Sequence, residues 1–175
     1  SPDSGRLITL RELVELALDA DREIGLAVET KHPSRSGGKV EHAVAEVLQA
    51  YGLTGSRGGD RGRRVWVRMM SFSALAVRRM ASLTPELPLV FLLAAPVPLA
   101  YRGASLPTGV GTAGLDLAIV RDRPEIVTVH HSVGNEVWVW TVDDEVDMEL
   151  CTELGVDAII SNRPGAVLDL IDGNR

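Results

Sequence analysis

Short apolar segments alternate with amphipathic segments along this chain, and that alternation limits the fold more than any other feature of the sequence. Residues 65–72 and 87–94 have the composition of strands, and the second is a continuous apolar run of the kind that parallel sheets bury on both faces. Residues 40–51 instead place apolar side chains three and four positions apart, which is typical of an amphipathic helix. Strands that alternate with helices predict a parallel sheet with right-handed crossovers.

The same pattern continues along the chain and predicts about six strands, over residues 23–31, 65–72, 87–94, 115–120, 136–142 and 158–161. An open doubly wound sheet and an incomplete eight-stranded barrel both fit this α/β pattern, because periodicity does not distinguish them. A chain of 175 residues is long enough for one ordinary domain, so we predict a single domain over residues 1–175.

Composition and charge exclude several classes of protein. Hydrophobic residues make up 45% of the chain and charged residues 24%, so neither disorder nor a membrane class is indicated. The net charge of -6 disfavours bulk attraction to nucleic acid or to anionic lipid. Cys151 is the only cysteine, so no internal disulfide can form, and we expect this residue to be buried on a helix.

Membrane and targeting segments are not predicted. Three prolines interrupt the apolar residues 87–100, so no apolar run reaches the length of a bilayer span. The opening residues lack the basic head and apolar stretch of a signal peptide. We therefore expect a cytoplasmic protein with no integral membrane segment.

A carboxylate and an ammonium group project together from the end of the first predicted strand. Glu29 and Lys31 are two positions apart, so both lie on one face of that strand while Thr30 lies on the other. Charge in a strand is costly unless it is paired or bound to a ligand. The two residues therefore form either a structural ion pair or part of a binding site. His32 follows, and for it we expect a hydrogen-bonded structural role.

Other patterns point to chemistry more weakly. Residues 54–64 carry four arginines, but this loop leads from a helix into a strand, and such loops lie on the face of a βα architecture away from the ligand. A G-x-G-x-x-G match begins at Gly109, but a strand is predicted after it where a dinucleotide site needs a helix. His130 and His131 diverge by about 100° on a predicted helix, so they cannot bind one metal together.

Four motifs, in this order along the chain, resemble those of the glycerophosphodiester phosphodiesterase family. Residues 28–33 resemble the Glu-x-Lys strand of that family, and residues 70–72 resemble its Ser-Phe strand end. Residues 139–144 are similar to its Trp-Thr-Val-Asn motif, and residues 154–164 to its closing segment. Residues 7–13 also resemble the helix that precedes the Glu-x-Lys strand.

The resemblance implies a (β/α)8 TIM barrel that hydrolyses glycerophosphodiesters to glycerol 3-phosphate and an alcohol, using a divalent cation, Mg2+ or Ca2+. It implies that Glu29 is a metal ligand and that Lys31 contacts the phosphate. Phe72 and Trp140 match positions that line the substrate pocket. All four residues fall at the carboxyl ends of predicted strands, where a barrel places its chemistry.

The sequence also departs from the family pattern. The His-Arg-Gly strand and the Glu-x-Asp strand have no match here. The resemblance places the two histidines expected as general acid and base upstream of Ser1, so we assign no catalytic residue to this chain. Asp143 stands where the family has Asn, and Asn162 where it commonly has Asp.

The missing motifs limit what this chain can do alone. One glutamate with water is a weak site for Mg2+ or Ca2+, which take about six or more oxygens. Cleavage of a phosphodiester also needs proton transfer to the leaving oxygen. We therefore expect the isolated chain to be inactive, with the cation weakly held or absent.

An incomplete barrel leaves two strands, residues 23–30 and 158–161, at unpaired edges. Such edges invite association, so we expect the missing strands to come from further residues or a partner, or the edges to be shielded by self-association. A non-catalytic half-barrel that acts as an interaction or structural module remains an alternative. Another phospholipase-like phosphodiesterase on the same barrel is a second alternative.

Overall fold

The computed structural model describes residues 5, 7–32, 38–55 and 64–173. A parallel sheet of six strands lies at its centre, and the strands follow one another in the order β1-β2-β3-β4-β5-β6. They are β1 (Ile24–Glu29), β2 (Val65–Ser71), β3 (Leu89–Leu93), β4 (Thr112–Asp116), β5 (Glu136–Trp140) and β6 (Ala158–Ile160).

The strand order distinguishes the two architectures that the sequence left open. A doubly wound sheet reverses its strand order at a switch point, whereas a barrel places consecutive strands side by side. Here the order is sequential, and the sheet curls into a half-barrel with β1 and β6 as the two edges of its described part. The prediction of an incomplete barrel of six strands is confirmed.

Helices follow or precede the strands, and of the α-helices all but the one over Leu117–Asp122 lie where the periodicity predicts a helix. The longer ones are α1 (Leu10–Leu18), α2 (Lys39–Ala50), α3 (Ala74–Leu83), α4 (Leu117–Asp122), α5 (Glu125–Ser132), α6 (Glu145–Glu153) and α7 (Pro164–Gly173). The capping box predicted at the start of α1 is present, because the backbone N–H of Glu12 donates to the Thr9 hydroxyl and the backbone N–H of Thr9 donates to the Glu12 carboxylate. None of the helices in these ranges has the length and hydropathy needed to cross a bilayer.

The main core lies between the sheet and the helices. Alternate strand residues such as Val67, Met69 and Leu115 pack there against Leu48 and Met80. The intervening residues point to the opposite side, which we call the inner face of the half-barrel. Its members are Gly25, Ala27, Glu29, Trp66, Arg68, Met70, Val90, Leu92, Thr112, Gly114, Asp116, Glu136, Trp138, Trp140, Ala158 and Ile160.

The predicted strand over residues 115–120 is wrong in its bounds. The strand ends at Asp116, and the apolar residues after it form helix α4. A short apolar run fits a buried strand and a buried helix equally well. Asp116 decides between them, because its carboxylate accepts a hydrogen bond of 2.8 Å from the backbone N–H of Ala118 and thereby caps the helix.

An ion pair occupies the amino-terminal end of the inner face. The guanidinium of Arg68 donates to both carboxylate oxygens of Glu136, at 2.6 and 3.2 Å, and to the hydroxyl of Thr112 at 3.0 Å. It also lies 5.1 Å from the centre of the Trp138 ring. These polar groups satisfy one another's hydrogen bonds and charges, so their role at this end of the inner face is structural.

Three of the sequence predictions fall on positions that cannot be compared with the structure. Ser1, upstream of which the catalytic histidine pair is expected, lies outside the described residues, and the position of that pair stays a prediction. Arg57, Arg61 and Arg63 of the arginine-rich segment also lie outside them. The same is true of Pro33, which closes the Glu-x-Lys motif.

Cys151 is buried on α6, as predicted, and burial raises the pKa of its thiol to about 11. Because the thiolate is the reactive form, we expect the native protein to resist iodoacetamide at about pH 8 and the guanidinium-denatured protein to be alkylated fully. Mass spectrometry of the two samples measures this. Rapid stoichiometric alkylation of the native protein would contradict the buried position.

Candidate functional site

The four site residues predicted from the sequence lie at the carboxyl edge of the sheet. Glu29 and Trp140 are the last residues of β1 and β5, Phe72 directly follows β2, and Lys31 lies two residues beyond β1. Parallel strands bring all their carboxyl ends to one edge, which is where barrels place their chemistry. Asp116, at the end of β4, is a fifth side chain at this edge that the sequence analysis missed, because it placed the end of that strand too late.

Phe72 and Trp140 meet, although two strands separate β2 from β5. Their ring centroids are 5.4 Å apart and their planes are nearly perpendicular, at 87°. The Trp140 indole N–H donates to the carbonyl of Gly114 at 2.9 Å, which holds the ring across the end of β4. Any side chain at Gly114 would collide with Leu92, since a Cβ there would lie 2.6 Å from its Cδ2. The two aromatic residues thus form one wall of the carboxyl edge.

Glu29 and Lys31 do not form the structural ion pair that was the alternative interpretation of their spacing. Within the described part of the chain, neither side chain takes part in a salt bridge. Glu29 is half-buried and Lys31 is exposed. No described residue neutralises either charge, so the geometry is compatible with ligand binding by both. Their roles as metal ligand and phosphate contact stay predictions.

A cation of the kind that the resemblance implies needs more oxygens than Glu29 can give. Mg2+ and Ca2+ take about six or more oxygen ligands, and one carboxylate supplies at most two. The described residues contain no group of three or more His, Cys, Asp or Glu side chains that could hold a metal ion. Asp116, the other carboxylate noted at a strand end, is engaged in capping α4. The residues present therefore do not form a complete cation site.

His32 makes the structural hydrogen bond that we expected, and its partner is a residue that the sequence analysis missed. Its Nε2 lies 2.6 Å from the carboxylate of Glu41 on α2, which is fully buried. Glu41 shares the inward side of α2 with Val44 and Leu48. A charged residue at that helical spacing was the signal that could have revealed it.

Asp143 joins the loop after β5 to the loop after β6. Its carboxylate accepts hydrogen bonds from the Ser161 hydroxyl at 3.0 Å, the Asn162 backbone N–H at 2.8 Å and the Asn162 side-chain amide at 2.9 Å. These bonds, above all the one from the Asn162 side chain, lower the pKa of Asp143 below its ordinary value. The two departures from the family pattern are therefore hydrogen-bonded partners in this chain.

This pairing predicts that exchange of the two residues is tolerated better than either change alone. Asp143→Asn removes the charged acceptor, and Asn162→Asp places two carboxylates against each other. The double variant restores a pair of one carboxylate and one amide. We expect both single variants to lower the Tm at neutral pH, and the double variant to recover most of the loss. A double variant less stable than both singles would refute the pairing.

The pH dependence of the same pair has a definite sign. Because the pKa of Asp143 is lowered in the folded protein, the stability that Asn162 adds is present above the unfolded value of about 4 and is lost as the pH falls through the folded pKa. We expect the Tm difference between the native protein and Asn162→Ala to shrink on acidification. Thermal unfolding at several pH values measures it, and a constant difference would contradict this assignment.

Comparison with known proteins identifies the family of this chain. Residues 1–166 match the glycerophosphoryl diester phosphodiesterase family. A Mycobacterium tuberculosis protein named "Probable glycerophosphodiester phosphodiesterase 1" is 36% identical over 171 residues, which are 97% of this chain and 60% of that protein. The chain thus spans about 60% of the length of the curated relatives it matches.

Solved structures share the fold. A glycerophosphodiester phosphodiesterase from Parabacteroides distasonis superposes with a TM-score of 0.74 at 16% identity, over 95% of this chain and 64% of that one. A phosphodiesterase from Oleispira antarctica, in complex with the product sn-glycerol-3-phosphate, gives a TM-score of 0.65 at 21% identity, over 85% of this chain and 56% of its own. With its motifs in order and its length matched from residue 1 to 166, the chain belongs to the glycerophosphoryl diester phosphodiesterase family.

Proposed function

We propose that this chain supplies the substrate-binding part of an enzyme that hydrolyses glycerophosphodiesters to glycerol 3-phosphate and an alcohol. The observation that carries the proposal is the position of Glu29, Lys31, Phe72 and Trp140 at one edge of the half-barrel. Membership of the family supports the reaction, and the sn-glycerol-3-phosphate bound to the Oleispira antarctica relative supports the class of ligand.

Each of these side chains suits one part of such a substrate. The ammonium of Lys31 is a compact positive charge, and it contacts the negatively charged phosphodiester oxygens. Phe72 and Trp140 form an apolar wall against which the carbon atoms of the glycerol or the alcohol pack. The substrate is thus a small molecule held between one cation and one aromatic surface.

Glu29 contributes one carboxylate to a Mg2+ or Ca2+ ion in this proposal. When bound, the ion supplies Lewis-acid stabilisation of negative charge on the phosphoryl oxygens. The other ligands come from outside the described residues, either from a longer chain or from a partner. Without those residues, self-association of the chain would shield the edges of β1 and β6.

None of the four histidines of this chain is assigned to proton transfer to the leaving alcohol, because the resemblance places the general acid and base upstream of Ser1. His32 bonds to Glu41, His42 to the carbonyl of Gly38, and His131 to Asp157, while His130 is buried. General acid catalysis is typically worth about 10² to 10⁴ in rate. We therefore propose that the isolated 175 residues do not hydrolyse the substrate.

A coupled assay for glycerol 3-phosphate, run with glycerophosphocholine and Mg2+ or Ca2+, tests the reaction. We expect metal-dependent release from the full-length gene product and none from the isolated chain. The half-barrel as a non-catalytic module is the second candidate, favoured by the incomplete cation site among the described residues. No release from either protein would support that candidate, while release from lysophospholipid or sphingomyelin alone would support another phosphodiesterase activity.

Lys31→Met in the full-length enzyme tests the phosphate contact. A hydrogen bond to a charged group is worth about 1.5–3 kcal/mol, so we expect kcat/KM to fall roughly 10- to 100-fold. Lys39→Met is the matched control, because Lys39 is exposed at the start of α2. Equal kcat/KM values for the two variants would refute the role of Lys31.

A further inference from the structure

A buried charged cluster lies behind the end of β1, on the side of the sheet that faces the helices. The Glu41 carboxylate is 2.6 Å from Nε2 of His32 and accepts a hydrogen bond of 2.8 Å from Arg79 on α3. Burial by itself would raise the pKa of Glu41, but the hydrogen bonds from His32 and Arg79 outweigh it and lower that pKa. Glu41 is therefore a buried anion, and it needs both partners.

The cluster begins where the hydrogen bonds of the sheet end. The backbone N–H of Thr30 donates to the carbonyl of Met70 at 3.0 Å, and the Ser71 hydroxyl donates to the carbonyl of Thr30 at 2.7 Å. In the described part of the chain, these are the last bonds that tie β1 to β2. Two residues after Thr30, the hydrogen bond between His32 and the Glu41 carboxylate attaches the chain to α2.

Lys31 lies between these two attachments. Thr30 is buried among the helices and His32 reaches Glu41 on α2, so both neighbours of Lys31 point to the helix side. Lys31 is exposed between these two neighbours, so we infer that its side chain projects away from the helix side, towards the inner face. The backbone bonds of Thr30 and the side-chain bond of His32 thus restrain the chain on both sides of Lys31.

The path of Arg79 to Glu41 depends on a glycine. A Cβ at Gly38 would lie 2.5 Å from the Cζ atom of Arg79 and 2.6 Å from its Nη1. Gly38 also has a φ of 90°, a conformation that residues with a side chain rarely adopt. The start of α2 is thus shaped so that the guanidinium can reach the buried carboxylate.

We propose that His32, Glu41 and Arg79 form a positioning network that holds Lys31 on the inner face in the orientation that binds a phosphate group. The inference rests on the proposed function, because it explains how the phosphate-binding lysine is oriented. None of the three residues touches the substrate in this proposal, so they are positioning residues.

The test measures binding of glycerol 3-phosphate to the full-length gene product by titration calorimetry without metal, together with KM, kcat and Tm. Glu41→Gln keeps the shape of the side chain but removes its charge, and Arg79→Gln removes the second partner. We expect both to weaken binding and to raise KM roughly 5-fold or more, the scale of coupled neighbours. Exposed residues of the same helices give matched controls, Glu46→Gln and Arg78→Gln, which should leave both values unchanged.

A double variant separates positioning from a purely structural role. In the Lys31→Met background, Glu41→Gln should have no further effect on the Kd of glycerol 3-phosphate, because the group that it orients is gone. Equal losses in both backgrounds, or a lower Tm with unchanged Kd and KM, would overturn the positioning role. If Glu41→Gln fails to fold, Arg79→Gln and its rescue by Arg79→Lys provide the same comparison.

Binding of glycerol 3-phosphate by the Lys31→Met variant distinguishes the positioning network from the phosphate contact of the proposed function. Weaker binding by Lys31→Met with unchanged binding by Glu41→Gln and Arg79→Gln would overturn the network alone. Unchanged binding by Lys31→Met would overturn the phosphate contact of the proposed function, and the network with it.

Discussion

The parallel backbone ladder between neighbouring strands is the constraint on which the rest of this structure depends. It pairs Glu29 with Met70 across β1 and β2, and Asp116 with Trp140 across β4 and β5. Because every strand runs in the same direction, residues that are far apart in the sequence arrive at one edge. A strand in the opposite direction would carry its terminal side chain to the other end of the sheet.

The ladder also divides the chemistry between the two faces of the sheet. The buried carboxylates on the helix side are paired, as Glu41 is with His32 and Arg79, since a buried charge is tolerated only with partners. The inner face changes along its length from the Arg68–Glu136 ion pair at the amino end to the aromatic contact of Phe72 with Trp140 at the carboxyl end. Arg68 and Glu136 neutralise each other, whereas Glu29 and Lys31 at the carboxyl edge form no salt bridge with a described residue.

Two departures from the family pattern illustrate why single positions are poor guides to a site. Taken separately, Asp143 and Asn162 each replace a residue that the family uses, which would suggest that a function has been lost. In the structure they bond to each other, with Asn162 as the donor and Asp143 as the acceptor. The two positions act as a pair in this chain, so neither can be interpreted alone.

Local features of this protein follow from its sequence alone. Apolar runs and caps such as the one at Thr9 are local, so they identified six strands and most helices, and the spacing of Glu29 and Lys31 placed both on one face. Long-range features depended on the tertiary structure. The end of β4 at Asp116, the partners of Glu41 and the contact between Phe72 and Trp140 depend on strand order and register, which bring together side chains from different elements. Periodicity within one segment carries no information about which other segment lies beside it. For that reason, only the tertiary structure decided these three features.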